Sequence, residues 1–96
     1  MRRDGRVDAN QSEIVKKLRE LGASVWVLSS LGHVPDLLVG FRGVTLLLEV
    51  KNLEGRGLKL TEAEQEFFDT WRGGPAKVIT TIDDALALLD CTLTTE

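Results

Sequence analysis

Apolar residues recur at two different spacings along this chain, and each spacing predicts a different kind of element. From about Val7 to Leu21 they follow one another every three or four positions, which predicts an amphipathic helix ended by Gly22; the apolar positions are Ile14, Val15, Leu18 and Leu21. Residues 24–29, SVWVLS, are β-branched and aromatic and predict a strand. The first predicted elements are therefore a helix and a strand.

Two further strands are expected to pair as a hairpin. Asp36 to Val39 and Val44 to Lys51 are apolar runs, and the segment Gly40 to Gly43 between them favours a turn. Gly32 to Pro35 is predicted to form the loop that leads into the first of these runs. A hairpin of this kind places the start of one strand beside the end of the other.

The next segment predicts a helix with a defined start. Thr61 and Glu64 have the spacing of a capping box, in which the threonine hydroxyl binds an amide and the glutamate reaches back. This helix is expected to run to about Trp71 and to bury Phe67, Phe68 and Trp71. The sequence Gly73-Gly74-Pro75 then breaks it.

A short strand and a last helix complete the pattern. Lys77 to Thr80 predicts the strand, and Thr81 to Leu89 predicts the helix, with Thr81 and Asp84 as its cap. The resulting order, α-β-β-β-α-β-α, contains both antiparallel and crossover connections. The expected fold is therefore α/β, with a mixed β-sheet flanked by helices.

Length and composition limit the class of protein. The 96 residues are expected to form one domain, residues 1–96, with the ordinary apolar fraction of 43% and charged fraction of 28%. No apolar run approaches the roughly 20 residues of a membrane span, and no secretory signal is recognised. Cys91 is the single cysteine, so an internal disulfide is excluded and a reducing cytoplasm is the expected location.

Charge is distributed unevenly along the sequence. Although the net charge is −3, residues 1–60 hold ten Lys or Arg and seven Asp or Glu, whereas residues 61–96 hold two and eight. This asymmetry is compatible with one phosphate-facing side, and the candidate DNA-binding residues are Lys16, Lys17, Arg56 and Lys59. Arg56 lies in a predicted flexible loop, Gly55 to Gly57. The alternative for the two helix lysines is an ordinary solvated face.

The chemistry-bearing residues gather at the predicted hairpin. Glu49 and Lys51 alternate with Val50 on the last strand, so they share one face about 6.6 Å apart along the chain. Asp36 begins the neighbouring strand and is expected to lie close to Glu49. Two adjacent carboxylates repel each other unless a cation lies between them, and hard oxygen ligands suit Mg²⁺, with Mn²⁺ as a substitute. The backbone carbonyl of Val50 is a further candidate ligand.

These residues resemble a known group of enzymes. Pro35-Asp36 followed by Glu49-Val50-Lys51 is similar to the pattern of the PD-(D/E)xK nuclease superfamily, whose members share the restriction-endonuclease-like fold. Three further features resemble the VRR-Nuc family, the virus-type replication-repair nucleases. They are Glu13 on the first helix, the approach Gly32-x-x-Pro35-Asp36-Leu37, and the run Leu60-Thr61-x-x-x-Gln65-x-x-Phe68.

The resemblance implies a divalent-metal-dependent DNA endonuclease. Asp36 and Glu49 would hold the metal, Lys51 would assist the attacking water, and Glu13 and Gln65 would support them, with Glu13 as a further candidate ligand. Family members of minimal size resemble homodimers that act on branched DNA such as four-way junctions, and the cleavage leaves a 5′-phosphate.

Other interpretations stay open from the sequence. Glu13 has an alternative as an ion-pair partner of Lys16 or Lys17, and Gln65 has one as a surface residue. His33 is interpreted as a loop residue rather than a ligand, and Trp26, Trp71 and the phenylalanines as core or dimer contacts. The alternative function is a catalytically inactive nucleic-acid-binding or assembly domain on the same fold.

Overall fold

Four strands form one mixed sheet in the computed structural model, which describes residues 9–52 and 59–93. The elements in chain order are α1 (Ala9–Glu20), β1 (Ser24–Val27), a 3-10 turn (Ser29–Leu31), β2 (Leu37–Phe41), β3 (Val44–Val50), α2 (Glu62–Thr70), β4 (Ala76–Ile79) and α3 (Ile82–Leu93). The sheet order is β1-β2-β3-β4; the first two pairings are antiparallel, and β3 pairs with β4 in parallel. The predicted order of elements and the mixed sheet are confirmed.

The first helix ends where the glycine predicts. Gly22 has a φ of 99°, a left-handed conformation that glycine adopts at little cost. The amide of Ala23 donates to the carbonyl of Leu18, and the amide of Gly22 donates to that of Arg19. These two bonds form a Schellman motif, which satisfies carbonyls that the helix end would otherwise leave unpaired.

The hairpin between β2 and β3 is tighter than expected. Strand β2 continues through Gly40 to Phe41, and only Arg42 and Gly43 form the turn, with φ values of 50° and 84°. Positive φ at both central residues is the requirement of a type I′ turn, whose twist matches that of the paired strands. The resulting register places Leu37 opposite Leu48, so that Asp36 precedes β2 beside the end of β3.

The core lies on one face of the sheet. Alternate residues of β3 point into it, together with apolar residues of α1 and α3; the cluster includes Ile14, Leu18, Leu37, Val39, Leu46, Leu48, Val50, Ala85 and Leu89. The other residues of β3, including Glu49, face the opposite side. The predicted separation of Glu49 from the apolar face of its strand is therefore confirmed.

Helix α2 is positioned by its ends rather than by burial. The predicted capping box is present: the Thr61 hydroxyl accepts from the Glu64 amide, and the Glu64 carboxylate accepts from the Thr61 amide. None of its nine residues is buried, and Phe67 and Phe68 are only half-buried. The prediction that this helix buries its aromatic residues is wrong, because Trp71 is 43% exposed and stacks on Phe67 outside the core.

One other prediction is also wrong. Ser29 belongs to the 3-10 turn, because β1 ends at Val27 and no longer pairs with β2 beyond that residue. Trp26, predicted to be a core or dimer contact, is 68% exposed and does not lie in the core, so the dimer contact stays a prediction. Its strand position places it on the opposite face from buried Val25, and α1 and α3 pack only on the side of Val25. The predicted loop Gly55 to Gly57 lies outside the described residues.

Candidate active site

Asp36 is fixed at the junction of β1, β2 and β3. One carboxylate oxygen, Oδ2, accepts from the amide of Val50 at 2.9 Å, and the other, Oδ1, accepts from the Ser29 hydroxyl at 3.0 Å. Its own carbonyl accepts from the amide of Leu28 at 2.6 Å. The acid that begins β2 is therefore hydrogen-bonded directly to the residue that follows Glu49.

Glu49 is a buried acid with few donors. It is 4% exposed on the face of β3 away from the apolar core. Burial raises the pKa of Glu49 to about 9; the negative charge of Asp36 and a hydrogen bond with Glu64 act in the same direction, and Lys51 opposes them. Without a cation, this side chain is therefore protonated at neutral pH.

Lys51 brings a positive charge to the same face. Its ammonium Nζ lies 3.7 Å from Oε2 of Glu49 and donates to Oε1 of Glu64 at 2.6 Å. The backbone of Lys51 is also held, since its amide donates to the carbonyl of Ile79 at 2.8 Å. Two acids from different elements thus orient one lysine.

Glu64 is a member of the cluster that sequence reasoning missed. Burial of its carboxyl favours a higher pKa, but the hydrogen bonds with Lys51, Thr61 and Glu49 outweigh burial and lower the pKa of Glu64. The capping box provided the signal that was available, because it fixes the direction in which the third residue of the helix points. The same carboxylate caps the helix and binds the lysine.

The structure brings some of the predicted residues together and leaves others apart. Asp36, Glu49, Val50 and Lys51 converge. Glu13 is exposed on α1 and makes no ion pair with Lys16 or Lys17 within the described residues. Gln65 is exposed, and its amide donates to the Asp69 carboxylate at 2.9 Å rather than to a member of the cluster.

The remaining predicted residues lie at the surface or outside the described part of the chain. Lys16 and Lys17 are exposed on α1, and Lys59 is exposed ahead of α2. Arg56 lies outside the described residues. His33 is exposed in the loop before Asp36, with a φ of 52°.

The donor set fits a hard divalent cation that retains water. Asp36 and Glu49 supply carboxylate oxygen atoms and Val50 a backbone carbonyl oxygen, and the negative charge of Asp36 is one cause of the raised pKa of buried Glu49. No group of three or more His, Cys, Asp or Glu side chains in residues 9–52 and 59–93 could hold an ion by itself. Mg²⁺ matches such a site, because it is commonly bound through one or two carboxylates, water and substrate phosphates.

One comparison with known structures finds a similar fold. A solved structure described as a VRR_NUC domain is similar to this chain, with 27% sequence identity and a TM-score of 0.64. The match covers 83% of this chain and 89% of that structure. No family model and no curated protein matches the sequence. The similarity to this solved structure confirms the family resemblance seen in the sequence.

None of the described helices is long and apolar enough to cross a membrane.

Proposed function

Because this chain resembles the VRR-Nuc family in its sequence and is similar in structure to a solved VRR_NUC domain, we propose that it is a divalent-metal-dependent DNA endonuclease. The observation that carries the proposal is the convergence of Asp36, Glu49 and Lys51 on adjoining strand ends. Carboxylates and an ammonium at this spacing serve phosphodiester hydrolysis, in which negative charge develops on the phosphate oxygens. The physiological ion would be Mg²⁺, with Mn²⁺ as its substitute.

The proposed roles follow from the contacts of each side chain. Asp36, Glu49 and the Val50 carbonyl would hold the ion, which would supply positive charge to offset the charge that develops on the phosphate. Lys51, held by Glu49 and Glu64, donates a hydrogen bond to the attacking water or to a phosphate oxygen. The water oxygen bonds to phosphorus as the bond to the 3′-oxygen breaks; the water gives up a proton to solvent, and the 3′-oxygen takes one from solvent. The products are a 5′-phosphate and a 3′-hydroxyl.

The surface supports a branched DNA substrate and a homodimer as parts of the same proposal. Exposed Lys16, Lys17 and Lys59 offer contacts to phosphates, and Arg56 is proposed to join them. Trp26, Val27 and Leu31 are exposed apolar side chains around β1, where a second copy would bury them. Two active sites related by two-fold symmetry would cut two strands of one junction. Glu13 and Gln65 stay proposed supporting residues.

The direct test is a cleavage assay on labelled DNA with Mn²⁺ or Mg²⁺. Four-way junctions, flaps, duplexes and single strands of shared sequence are compared, with EDTA as the metal-free control. We expect cleavage only with metal, fastest on the junction, and products that carry a 5′-phosphate. Metal-independent binding of the junction without any cleavage would support the inactive DNA-binding alternative.

A second prediction separates the two contacts of Glu64. In Glu64→Gln the capping box persists, because the glutamine oxygen also accepts from the Thr61 amide, but the negative charge that faces Lys51 is lost. We expect stability to change little and kcat to fall about 10-fold, since a hydrogen bond between charged groups contributes about 1.5 kcal/mol. The exposed first-turn acid Glu62 provides the matched control, Glu62→Gln. Equal rates in the two variants would contradict the role of Glu64.

A further inference from the structure

Gln11 is a buried amide in the apolar stripe of α1. It is 6% exposed and lies on the same helix face as Ile14, Val15 and Leu18. Burial of an amide is costly unless hydrogen bonds replace those it made to water. The amide nitrogen Nε2 donates to the hydroxyl of Ser29 at 3.2 Å, so this buried group is directed toward the 3-10 turn that follows β1.

Ser29 connects Gln11 to the active site through two hydrogen bonds of its hydroxyl group. Its hydroxyl carries one hydrogen, which it donates to Oδ1 of Asp36 at 3.0 Å, so the oxygen accepts from Gln11 through a lone pair. The two hydrogen bonds therefore run in one direction, from the Gln11 amide to the Ser29 hydroxyl to the Asp36 carboxylate, and the first polarises the second. With the Val50 amide on Oδ2, both oxygens of Asp36 are held while each retains a lone pair for an ion.

The residue before Gln11, Asn10, ties the same helix to the part of the site that contains Lys51. Asn10 Nδ2 donates to the carbonyl of Lys51 and to the carbonyl of Thr80, each at 3.1 Å. Its two amide hydrogens thus tie the first turn of α1 to the ends of β3 and β4. Gln11 is held at a set position relative to Glu49 and Lys51, and through Ser29 it sets the position of Asp36.

We propose that Gln11 is a positioning residue of the nuclease centre, acting through Ser29 to hold the Asp36 carboxylate in the orientation that binds the divalent ion. This inference rests on the proposed function. It assigns a role to two residues that do not touch the substrate. Partners that orient metal-binding carboxylates typically affect metal affinity or activity by 10- to 100-fold when they are removed.

The test compares neighbouring serines of one 3-10 turn. Ser29→Ala removes the hydroxyl between Gln11 and Asp36, whereas Ser30→Ala removes the hydroxyl of its exposed neighbour. Mn²⁺ binding is measured by calorimetry without DNA, and the Mn²⁺ concentration that gives half-maximal cleavage is measured separately. We expect Ser29→Ala to weaken both about 10-fold, Ser30→Ala to leave both unchanged, and Ser29→Thr, which keeps a hydroxyl, to restore them.

A second variant tests whether Gln11 acts through Ser29. Gln11→Met keeps a similar volume without the amide, and it should weaken Mn²⁺ binding as Ser29→Ala does. The double variant should be no weaker than the stronger single variant, because both changes interrupt one chain of hydrogen bonds. Thermal unfolding of each variant separates a loss of folding from a loss of metal affinity.

The outcomes distinguish this inference from the function on which it rests. If wild-type protein binds Mn²⁺ and cuts DNA but Ser29→Ala and Gln11→Met lower only the melting temperature, the two residues are structural and the inference is overturned. If wild-type protein neither binds Mn²⁺ nor cuts any substrate, the proposed function fails and the inference falls with it.

Discussion

Removal of any one of three charges, in Asp36→Asn, Glu49→Gln or Lys51→Met, is expected to reduce DNA cleavage by about 10³-fold. Each substitution preserves side-chain size while removing an ionic group that acts on the metal or the phosphate. In Asp36→Asn the single amide oxygen can accept from Ser29 or from the Val50 amide, but not from both, and Lys51→Met keeps an unbranched chain over Glu64. The measurement is the single-turnover rate on the preferred DNA substrate with saturating Mn²⁺.

Matched controls carry the same change in charge elsewhere on the surface. Glu66→Gln removes an exposed acid of α2, and Lys77→Met removes an exposed lysine of β4. Both should cleave at close to the wild-type rate. Wild-type rates in any of the three site variants would exclude this cluster as the catalytic centre, whatever the controls show.

The order of elements was predictable because each depends on local pattern. Ile14, Val15 and Leu18 recur at helical spacing, and residues 44–50 alternate between a core face and the face of Glu49. Burial of α2 was not predictable from its own sequence. Helical spacing of Phe67, Phe68 and Trp71 shows that they share a side, but not whether another element covers that side.

Some residues of the candidate site were likewise predictable from the sequence, and others were not. Convergence of Asp36, Glu49 and Lys51 followed from hairpin pairing, since adjacent strands bring the start of one beside the end of the other. Glu64 was missed because it lies on α2, whereas Lys51 follows β3, and no local sequence pattern spans the segment 51–61 between these elements. Gln11 did leave a signal: it is a polar residue in the apolar stripe of α1.

The role of Gln65 illustrates what a family pattern leaves open. Its position on α2 is one residue from Glu64, which corresponds to a rotation of about 100° around the helix. Glu64 faces Lys51, so Gln65 faces away and binds Asp69. A contribution of Gln65 to catalysis stays a prediction, and in this arrangement it requires a different contact from the one that the side chain makes.

The second large effect concerns pH and the metal-free protein. The folded-state pKa of Glu49, about 9, lies above its ordinary value of 4.5, so the folded protein binds a proton that the unfolded chain releases between these values. Stability from this group is fully present below about pH 4.5 and is lost as pH rises toward 9. We expect the free energy of unfolding to fall by roughly 4 kcal/mol between pH 5 and pH 8 because of Glu49.

Glu49→Gln isolates this contribution. Glutamine is neutral at every pH, so between pH 5 and pH 8 the wild-type protein should lose roughly 4 kcal/mol of stability relative to the variant, both in EDTA. Urea unfolding at several pH values gives the two curves. Asp36, Glu64 and Lys51 face Glu49 in both proteins, so the difference between the curves reports the Glu49 proton. Parallel curves would show that Glu49 does not hold a proton in the folded state.

The same proton links stability to metal binding. An ion that binds the Glu49 carboxylate must displace the proton, so Mn²⁺ affinity should rise with pH up to about 9, the folded-state pKa of Glu49. At pH 8 the addition of Mn²⁺ should therefore raise the melting temperature of the wild-type protein, whereas Glu49→Gln, which is already stable and lacks the ligand, should respond little. Calorimetry in buffers of different ionisation enthalpy counts the protons released on binding. Release that is absent at pH 7, or identical in wild-type protein and Glu49→Gln, would contradict Glu49 as a metal ligand.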